Sequence, residues 1–504
     1  MAAEKAAGGD NVATMNDPEQ PEMKDDLEKP ELERPNEDLQ RGVQDMEGLY
    51  LLDAFQSSIL YDLIPYVASD FGSHSLLIIY VVSNAITAAL FIPLAKIVDV
   101  FYLIGTSGMT YCIDALTADA SKLKNRGLAY AFTSSPYIIT AFAGPKASSE
   151  FYANIGWRWG FGAFSIIFPI VSAPLYFVLK FCIRKAKVQG TLVEEKPKRT
   201  LLQMIWFYIV EFDPLVAGVV LFSTGLVVFL LPFDIASGAP YGWGTAYIIA
   251  MIVIGLVIIV IFGFYEALLA PTPMLNFKLL SNRTATGACL IDATYQISYY
   301  CWNNYFTSFL QAVNNLGIAE ASYVNNTFNV VSGLLLLLVG YLIRRTSRFK
   351  WLLYIGVPLY IFALGLMIYF RRPNQSVGYL VFCEVLISIG GSVFIIVGQL
   401  AILAAVDHQH VASALSLLYL VGTVGGSLGA TISGSIWTNT FEKALESYLP
   451  TSSLENLVDI YGDLETQLGY PVGSATRLAI QKAYGYAQTR MLTAEAGVMG
   501  LGLI

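Results

Sequence analysis

Long apolar segments recur along this chain of 504 residues, and short polar or charged segments separate them. Each apolar segment is about 20 residues long, which as an α-helix crosses the roughly 30 Å of hydrocarbon in a bilayer. Two further segments are weaker: 49–67 is interrupted by Asp53 and Asp62, and 491–504 is short and contains Glu495. We therefore predict an all-α polytopic membrane protein with eleven clear spans and two partial ones. The clear spans lie at 74–98, 101–120, 128–150, 160–183, 214–234, 245–269, 286–312, 324–343, 351–370, 377–406 and 411–437.

Composition supports a membrane protein, since 55% of the residues are hydrophobic and only 13% are charged. The net charge of -8 comes from the first 48 residues, which are acidic, rich in proline and without an apolar run. We expect that tail to be disordered. Nothing in the chain resembles a nucleotide-binding loop, a catalytic triad or a basic nucleic-acid-binding patch. We therefore expect no enzyme activity and no nucleic-acid partner, and we expect a monomer in the lipid bilayer.

The placement of basic loops produces a conflict near residue 100. Short Lys- and Arg-rich loops stay in the cytoplasm, so both Lys96 and the "KLKNR" segment at 122–126 should be cytoplasmic. The stretch between them is long enough for one crossing but not for two. One helix cannot begin and end on the same side of the membrane. The sequence therefore predicts that a span is missing near Val100.

Several long segments resemble the fungal siderophore-iron transporters of the major facilitator superfamily, a branch with fourteen helices. They include "SHSLLIIYVVSNAITAALFIPLAKIVDV", "ADASKLKNRGLAYAFTSSPYIITAFAGPKASSEFY", "WRWGFGAFSIIFPIVSAPLY", "SGSIWTNTFEKALESYLP" and "YGDLETQLGYPVGSATRLAIQKAYGYAQTRM". The similar region extends from about Leu51 to Met491. The chain departs from this family where "KIVDV" runs directly into "FYLIG", so a Gly-Arg turn and the third helix are expected to be absent. Parts of the first and last helices are expected to be absent as well.

The resemblance implies proton-coupled import of ferric siderophores, chiefly hydroxamates, across a fungal plasma membrane or the membrane of an endosomal vesicle. Iron would arrive as a siderophore chelate, so no cofactor and no metal ligands of the protein's own are expected. A drug or toxin exporter of the same fold, driven by protons, is the first alternative. A truncated product that does not transport, or a sensor of siderophores, is the second. A natural lineage with fewer helices would also explain the departures.

The resemblance and the apolar pattern together predict a division of the chain into seven parts. An outer loop with short amphipathic helices would form a folded cap, for which a flexible linker is the alternative. The parts are a disordered acidic cytoplasmic tail (1–48), an incomplete N-terminal helical half (49–183), a cytoplasmic linker (184–213), extra central helices (214–269), a C-terminal helical half (270–437), the extracytoplasmic loop (438–490) and a truncated last helix (491–504).

Ionisable residues inside predicted spans are candidates for proton coupling, because a charge is costly in hydrocarbon unless it serves a function. Asp114, Asp292 and Glu384 form this candidate set, since a desolvated carboxyl group favours its protonated form and can carry a proton. Asp119 lies in a predicted span too, but its closeness to "KLKNR" favours a structural role as the helix-end partner of Lys122 or Arg126. The candidates for cytoplasmic gating loops are Lys96, Asp99, Asp119, Lys122 and Arg126.

The segment "DATYQISYYCWNNYFTSF" at 292–309 is too polar for a helix that faces lipid, and we expect it to line a substrate cavity. Its polar and aromatic residues recur at a spacing of three and four. Tyrosine and tryptophan offer flat apolar area with a polar tip, which suits a bulky ligand with an amide backbone. Ordinary helix packing is the alternative. The cavity candidates are Gln56, Asn84, Tyr295, Gln296, Tyr299, Tyr300, Asn303, Phe306 and Gln399, with Asp292 on the same helical stripe.

Overall fold

The computed structural model describes two short N-terminal stretches and four longer ones. These are 51–66 without 61 and 64, the positions 110, 111, 113, 114, 117, 118 and 121, then 123–188, 218 with 220–269, 277–406 and 411–503. Several predictions fall outside the described residues. They are the acidic tail, the span at 74–98, the junction at Val100, most of the linker at 184–213, and the candidates Asn84, Lys96, Asp99, Asp119 and Lys122.

All regular structure in the described residues is helical, which confirms the predicted all-α class. The first two helices lie within 51–66 (α1) and 110–118 (α2). The others are α3 (Leu123–Thr133), α4 (Pro136–Glu150), α5 (Trp157–Val188), α6 (220–235), α7 (Ala246–Phe264), α8 (Phe277–Leu280), α9 (Arg283–Asn303), α10 (Phe306–Ala312), α11 (Ile318–Asn325), α12 (Thr327–Thr346), α13 (Lys350–Phe370), α14 (Val377–Ala404), α15 (Val411–Tyr448), α16 (Leu457–Gly462), α17 (Leu464–Gly469) and α18 (Ala475–Gly500).

Six helical segments of the described chain are long and apolar enough to cross a membrane. α9 is not among them, because its polar residues lower its hydropathy although it lies at the centre of the bundle. The protein is therefore an integral membrane protein with a polar helix inside its bundle. The six segments are Val220–Gly238, Ala246–Leu269, Ile318–Thr346, Lys350–Phe370, Val377–Ala404 and Ser413–Tyr448.

The last third of the chain differs from the predicted division. α15 continues without a break to Tyr448, so "FEKALESY" extends the preceding span and does not form a separate helix. α18 runs from Ala475 to Gly500, and the predicted boundary at 490/491 falls inside it. Between these helices lie a 3-10 turn at Thr451–Asn456 and the short helices α16 and α17. The segment after residue 490 is therefore the second half of a long helix.

Glycines bring α9 and α15 into close contact. A Cβ atom at Gly425 would lie 2.6 Å from the carbonyl oxygen of Ala293, and one at Gly429 would lie 2.5 Å from that of Ile297. The Cys301 thiol donates to the Gly429 carbonyl oxygen at 3.4 Å. Small residues let helix backbones approach in a membrane, where the hydrophobic effect gives no drive for association. The glycine-rich run at 422–429 therefore serves close packing of α15 on α9.

The core of the C-terminal half lies between α9, α13, α14, α15 and α18. It contains a column of stacked rings in which Tyr305 lies 4.2 Å from Trp437, and Trp437 lies 4.1 Å from Phe441, between ring centroids. On the other side of the molecule, α3 and α4 pack along α12, with Gly127 against Gly340. This contact joins the N-terminal helices to the C-terminal half.

We predict that Gly425→Ala destabilises the protein by about 1–3 kcal/mol, because the added methyl group must push apart two helix backbones. Gly287→Ala on α9 is the matched control, since a Cβ atom there meets no atom within 4 Å. That control should be neutral or slightly stabilising, because alanine favours helix over glycine. Thermal unfolding of the purified protein in detergent measures both. Equal losses in the two variants would contradict the packing role of Gly425.

Candidate functional site

The polar stripe of α9 divides into two groups in the structure. Asp292, Gln296, Tyr299 and Tyr300 are half-buried on one side of the helix. They form what we call the α9 face. No hydrogen bond or ion pair from the Asp292 carboxylate is present within the described chain, and its Oδ2 atom lies against Gly422 of α15. The α9 face is therefore a polar surface whose carboxylate remains available to a ligand or a proton.

Two members of the predicted stripe lie behind this face. Tyr295 is 4% exposed and packs against Tyr360 and Phe394, with ring centroids 6.1 and 5.5 Å apart. Phe306 is fully buried, 5.7 Å from the ring of Trp302. Both side chains belong to the core of the C-terminal half. The prediction that they line a substrate cavity is therefore wrong for these two residues.

Asn303 connects the α9 face to the core. Its side chain is 8% exposed, and Nδ2 donates to the Tyr299 hydroxyl at 3.3 Å. The Tyr299 ring also contacts Tyr300 at 5.7 Å and Phe328 at 5.6 Å. Asn303 therefore positions Tyr299 and does not itself form the surface.

The other predicted proton carrier of the C-terminal half, Glu384, is fully buried in α14. Neither carboxylate oxygen has a hydrogen-bond partner among the described residues. The nearby Ser388 hydroxyl donates to the Glu384 backbone carbonyl oxygen at 2.6 Å and not to its carboxyl group. A charge without a donor is costly in this interior, because nothing offsets its lost hydration.

Asp114 takes part in a polar contact between the two halves. The Tyr419 hydroxyl of α15 donates to Asp114 Oδ2, and Gln399 of α14 donates to the Tyr419 hydroxyl at 3.0 Å. The Tyr130 hydroxyl donates to the Asp114 carbonyl oxygen at 3.2 Å. We call this group the Asp114 contact. It brings together Asp114 and Gln399, two candidates that sequence reasoning had placed in different roles.

Two further candidates lie in the N-terminal half. Arg126 is buried and donates to the Ala118 carbonyl oxygen at 2.9 Å and to that of Ser121 at 3.3 Å. It thereby satisfies carbonyl groups at the end of α2, as a helix-end cation does. Gln56 is 6% exposed, and its Oε1 atom has no partner within the described part of the chain.

A second polar contact joins the halves at the opposite end of the bundle. The Tyr66 hydroxyl at the end of α1 donates to Gln311 Oε1 on α10 at 2.5 Å. Beside it, Asn326 Nδ2 donates to the Ala141 carbonyl oxygen at 3.3 Å. We call this group the Tyr66 contact. Because α10 continues the span that begins with α9, the Tyr66 and Asp114 contacts lie at opposite ends of the α9 face.

Sequence reasoning missed several buried ionisable residues, and Arg371 and Glu495 are two of them. Arg371 directly follows the predicted span at 351–370, where a residue at the membrane boundary is expected. Glu495 lies in the segment 491–504, which is too short to be a span. Both are fully buried in the C-terminal half. Glu495 Oε1 accepts a hydrogen bond from the Ser298 hydroxyl at 2.8 Å. The only signal in the sequence was an ionisable residue beside an apolar run.

No cluster of three or more His, Cys, Asp or Glu side chains that could hold a metal ion occurs among the described residues. The site consists of the polar aromatic α9 face, with a polar contact between the N-terminal and C-terminal helices at each end. This arrangement is that of a membrane transport protein, in which the ligand binds between two helical halves.

Comparisons with known proteins agree with this class. Residues 288–441 match the family model of the Major Facilitator Superfamily. "Siderophore iron transporter mirB" of Emericella nidulans is 54% identical over 491 residues, which cover 90% of this chain and 81% of that protein. "MFS siderochrome iron transporter 1" of Gibberella zeae is 49% identical, with 93% and 86% covered. "MFS siderochrome iron transporter B" of Aspergillus fumigatus is 48% identical, with 93% and 85% covered.

The chain belongs to the fungal siderophore-iron transporters of the major facilitator superfamily. The alignment with the Gibberella zeae protein runs over 526 positions, more than the 504 residues of this chain. That relative therefore has residues inside the aligned range without a counterpart here. A missing internal segment would produce this difference, and the predicted junction at Val100 lies outside the described residues.

We predict that Tyr419→Phe weakens the Asp114 contact by about 1–3 kcal/mol, because it leaves a buried carboxylate oxygen without its donor. The purified variant should therefore unfold at a lower temperature than the unaltered chain. Tyr341→Phe is the control, since Tyr341 is 50% exposed on α12. If both variants unfold at the temperature of the unaltered chain, the hydroxyl of Tyr419 does not hold the two halves together.

Proposed function

We propose that this protein imports ferric siderophores of the hydroxamate type, driven by protons, across a fungal plasma membrane or the membrane of an endosomal vesicle. The observation that carries the proposal is the half-buried, polar α9 face, together with the polar contacts that join the two helical halves. Three relatives at 48–54% identity bear names of siderophore or siderochrome iron transporters. We further propose that the transporting unit is a monomer.

The chemistry of the α9 face supports a hydroxamate ligand. Tyr299 and Tyr300 offer flat aromatic area with hydroxyl groups, and Gln296 adds an amide that can donate and accept. A ferric hydroxamate presents amide groups and apolar linkers around a metal that is already fully chelated. Such a ligand needs hydrogen bonds and aromatic contacts from the protein, and it needs no metal ligands.

Buried carboxyl groups support proton coupling. Asp292 lies on the α9 face beside the substrate position, Asp114 lies in the Asp114 contact, and Glu384 lies inside the C-terminal half. A carboxyl group that changes between a solvated and a desolvated environment binds and releases a proton as the protein changes shape. Substrate movement and proton movement would thereby be linked.

Uptake of iron-55 as a ferric hydroxamate tests the function directly. Cells that lack their own siderophore uptake should accumulate the label when they express the 504-residue chain, and they should not accumulate unchelated iron faster than control cells do. Resistance to toxic compounds without siderophore uptake would instead identify an exporter. Correct membrane insertion with neither activity would contradict transport by this chain.

We predict that Asp292→Asn flattens the pH dependence of uptake and leaves siderophore binding intact. The amide cannot carry a proton, but it keeps the shape and the hydrogen-bonding capacity of the side chain. Initial uptake rates between pH 5 and pH 8, together with binding to isolated membranes, measure the two effects separately. An unchanged pH profile would remove Asp292 from the proton-coupling set.

We predict that Tyr299→Ala weakens siderophore affinity by about 1–3 kcal/mol, because it removes a large aromatic contact from the α9 face. Tyr354→Ala is the matched control, since the Tyr354 side chain is 79% exposed on the outer surface of α13. Equilibrium binding of the labelled siderophore to membranes compares the two variants. Equal affinities would show that Tyr299 only packs against its neighbours.

A further inference from the structure

Three ionisable side chains are buried inside the C-terminal half, behind the α9 face. They are Arg371 at the end of α13, Glu384 on α14 and Glu495 on α18, and each is 0% exposed. Arg371 bonds to Trp302 and Glu495 bonds to Ser298, one turn apart on α9, and the charge of Arg371 also acts on Glu384. We call these three residues the Arg371 cluster. A buried charge is costly, so such a group calls for a physical explanation.

The hydrogen bonds of the Arg371 cluster are incomplete. Arg371 Nη1 donates to the Trp302 carbonyl oxygen at 2.6 Å, whereas its Nε and Nη2 atoms have no partner within the described chain. Glu495 Oε1 accepts from Ser298, and its Oε2 atom has no donor there. The Glu384 carboxylate has no hydrogen bond of normal length among the same residues, although the Phe328 backbone interacts with it. The cluster therefore contains hydrogen-bond donors and acceptors that are buried in the same region without being paired with each other.

No ion pair within 4.0 Å joins Arg371 to either carboxyl group in the part of the chain that the structure describes. The guanidinium group lies instead over the rings of Phe306 and Phe309, 4.5 and 5.4 Å from their centroids. Cation–π contacts hold a guanidinium group less rigidly than a bidentate carboxylate would. Arg371 therefore lies near two carboxyl groups without forming an ion pair with either of them.

The charges of the cluster do not balance unless one proton is present. Arginine keeps its charge in proteins, so two ionised carboxylates would leave one uncompensated negative charge in the protein interior. The other titratable groups that face the cluster are neutral at physiological pH. Tyr299 and Cys383 face Glu384, while Cys301 and Tyr360 face Glu495.

We propose that Glu384 and Glu495 carry one transported proton between them, bound to one carboxyl group or the other, and that Arg371 is the fixed positive charge that neutralises the carboxyl group without it. The inference rests on the proposed function and adds Glu495 and Arg371 to its proton-coupling machinery. Proton loss would leave two carboxylates competing for one guanidinium group. Because the cluster is closed to solvent, the proton can exchange only when the surrounding helices move apart.

Ser298 links the cluster to the α9 face. Its hydroxyl donates to Glu495 and lies 3.3 Å from the Tyr360 hydroxyl, so it joins α9, α13 and α18. The next residue on α9 is Tyr299, which belongs to the α9 face. A change in the charge of Glu495 therefore alters a hydrogen bond of the helix that carries the proposed substrate contacts.

The test compares two transport modes in the full chain with Glu495→Gln. The first is accumulation of an iron-55 ferric hydroxamate against its gradient, at pH 5 and pH 7. The second is exchange of labelled for unlabelled siderophore at equal concentrations, which needs no net proton movement. We expect accumulation to fall to the level of cells whose proton gradient has been collapsed, while exchange stays at the rate of the unaltered chain. Glu446→Gln, at an exposed position of α15, should keep both modes.

Further variants separate a proton carrier from a structural residue. Glu495→Asp retains a carboxyl group and should restore accumulation, and Glu384→Gln should show the same loss as Glu495→Gln. Accumulation that persists in both glutamine variants would overturn the proposal. Loss of exchange in both, at normal membrane levels, would also overturn it, because the carboxyl groups would then serve binding or packing. If the unaltered chain does not accumulate siderophore, the proposed function itself fails, and this inference fails with it.

Discussion

The hydrocarbon interior of a membrane contains no water, so every ionisable side chain within it must find a partner or a purpose inside the protein. Two carboxyl groups of the described helices illustrate this constraint. Asp53 on α1 accepts a hydrogen bond from the Tyr137 hydroxyl at 3.2 Å, and Asp114 accepts one from Tyr419. The surface of α7, in contrast, presents apolar side chains such as Val253 and Ile254. This segregation determines which side of each helix turns inwards and hence where the polar surface of α9 lies.

The same constraint explains why polar side chains of the two halves bond to each other in two separate places. Polar groups join the halves at the Asp114 contact and again at the Tyr66 contact, with the α9 face between them. In the proposed function, a substrate on this face would enter when one contact is broken and leave when the other is broken. Close glycine packing, as between Gly127 and Gly340, lets helices of the two halves move without large side chains that interlock. The two contacts thus have the position of gates.

Sequence periodicity predicted the helices and the polar surface of α9 well, because both depend on residues close together in the chain. It could not separate Tyr295, which packs in the core, from Tyr299, which lies on the α9 face, since that difference depends on neighbouring helices. Arg371 looked like a boundary residue until its contact with Trp302, 69 residues away, became visible. The bond between Asp114 and Tyr419 spans 305 residues and leaves no local pattern. The predicted break at residue 490 was placed inside α18 because the first half of that helix is polar.

Distances between pairs of spin labels test most directly whether the two contacts act as alternating gates. One pair, at Asn125 and Arg345, reports on the end with the Asp114 contact; the other, at Ala153 and Gly469, reports on the end with the Tyr66 contact. All four positions are exposed. Pulsed electron resonance would follow both distances as a ferric hydroxamate is added at low pH. We predict that one distance lengthens while the other shortens or stays unchanged. Two distances that lengthen together, or that do not respond at all, would contradict transport by alternating access around the α9 face.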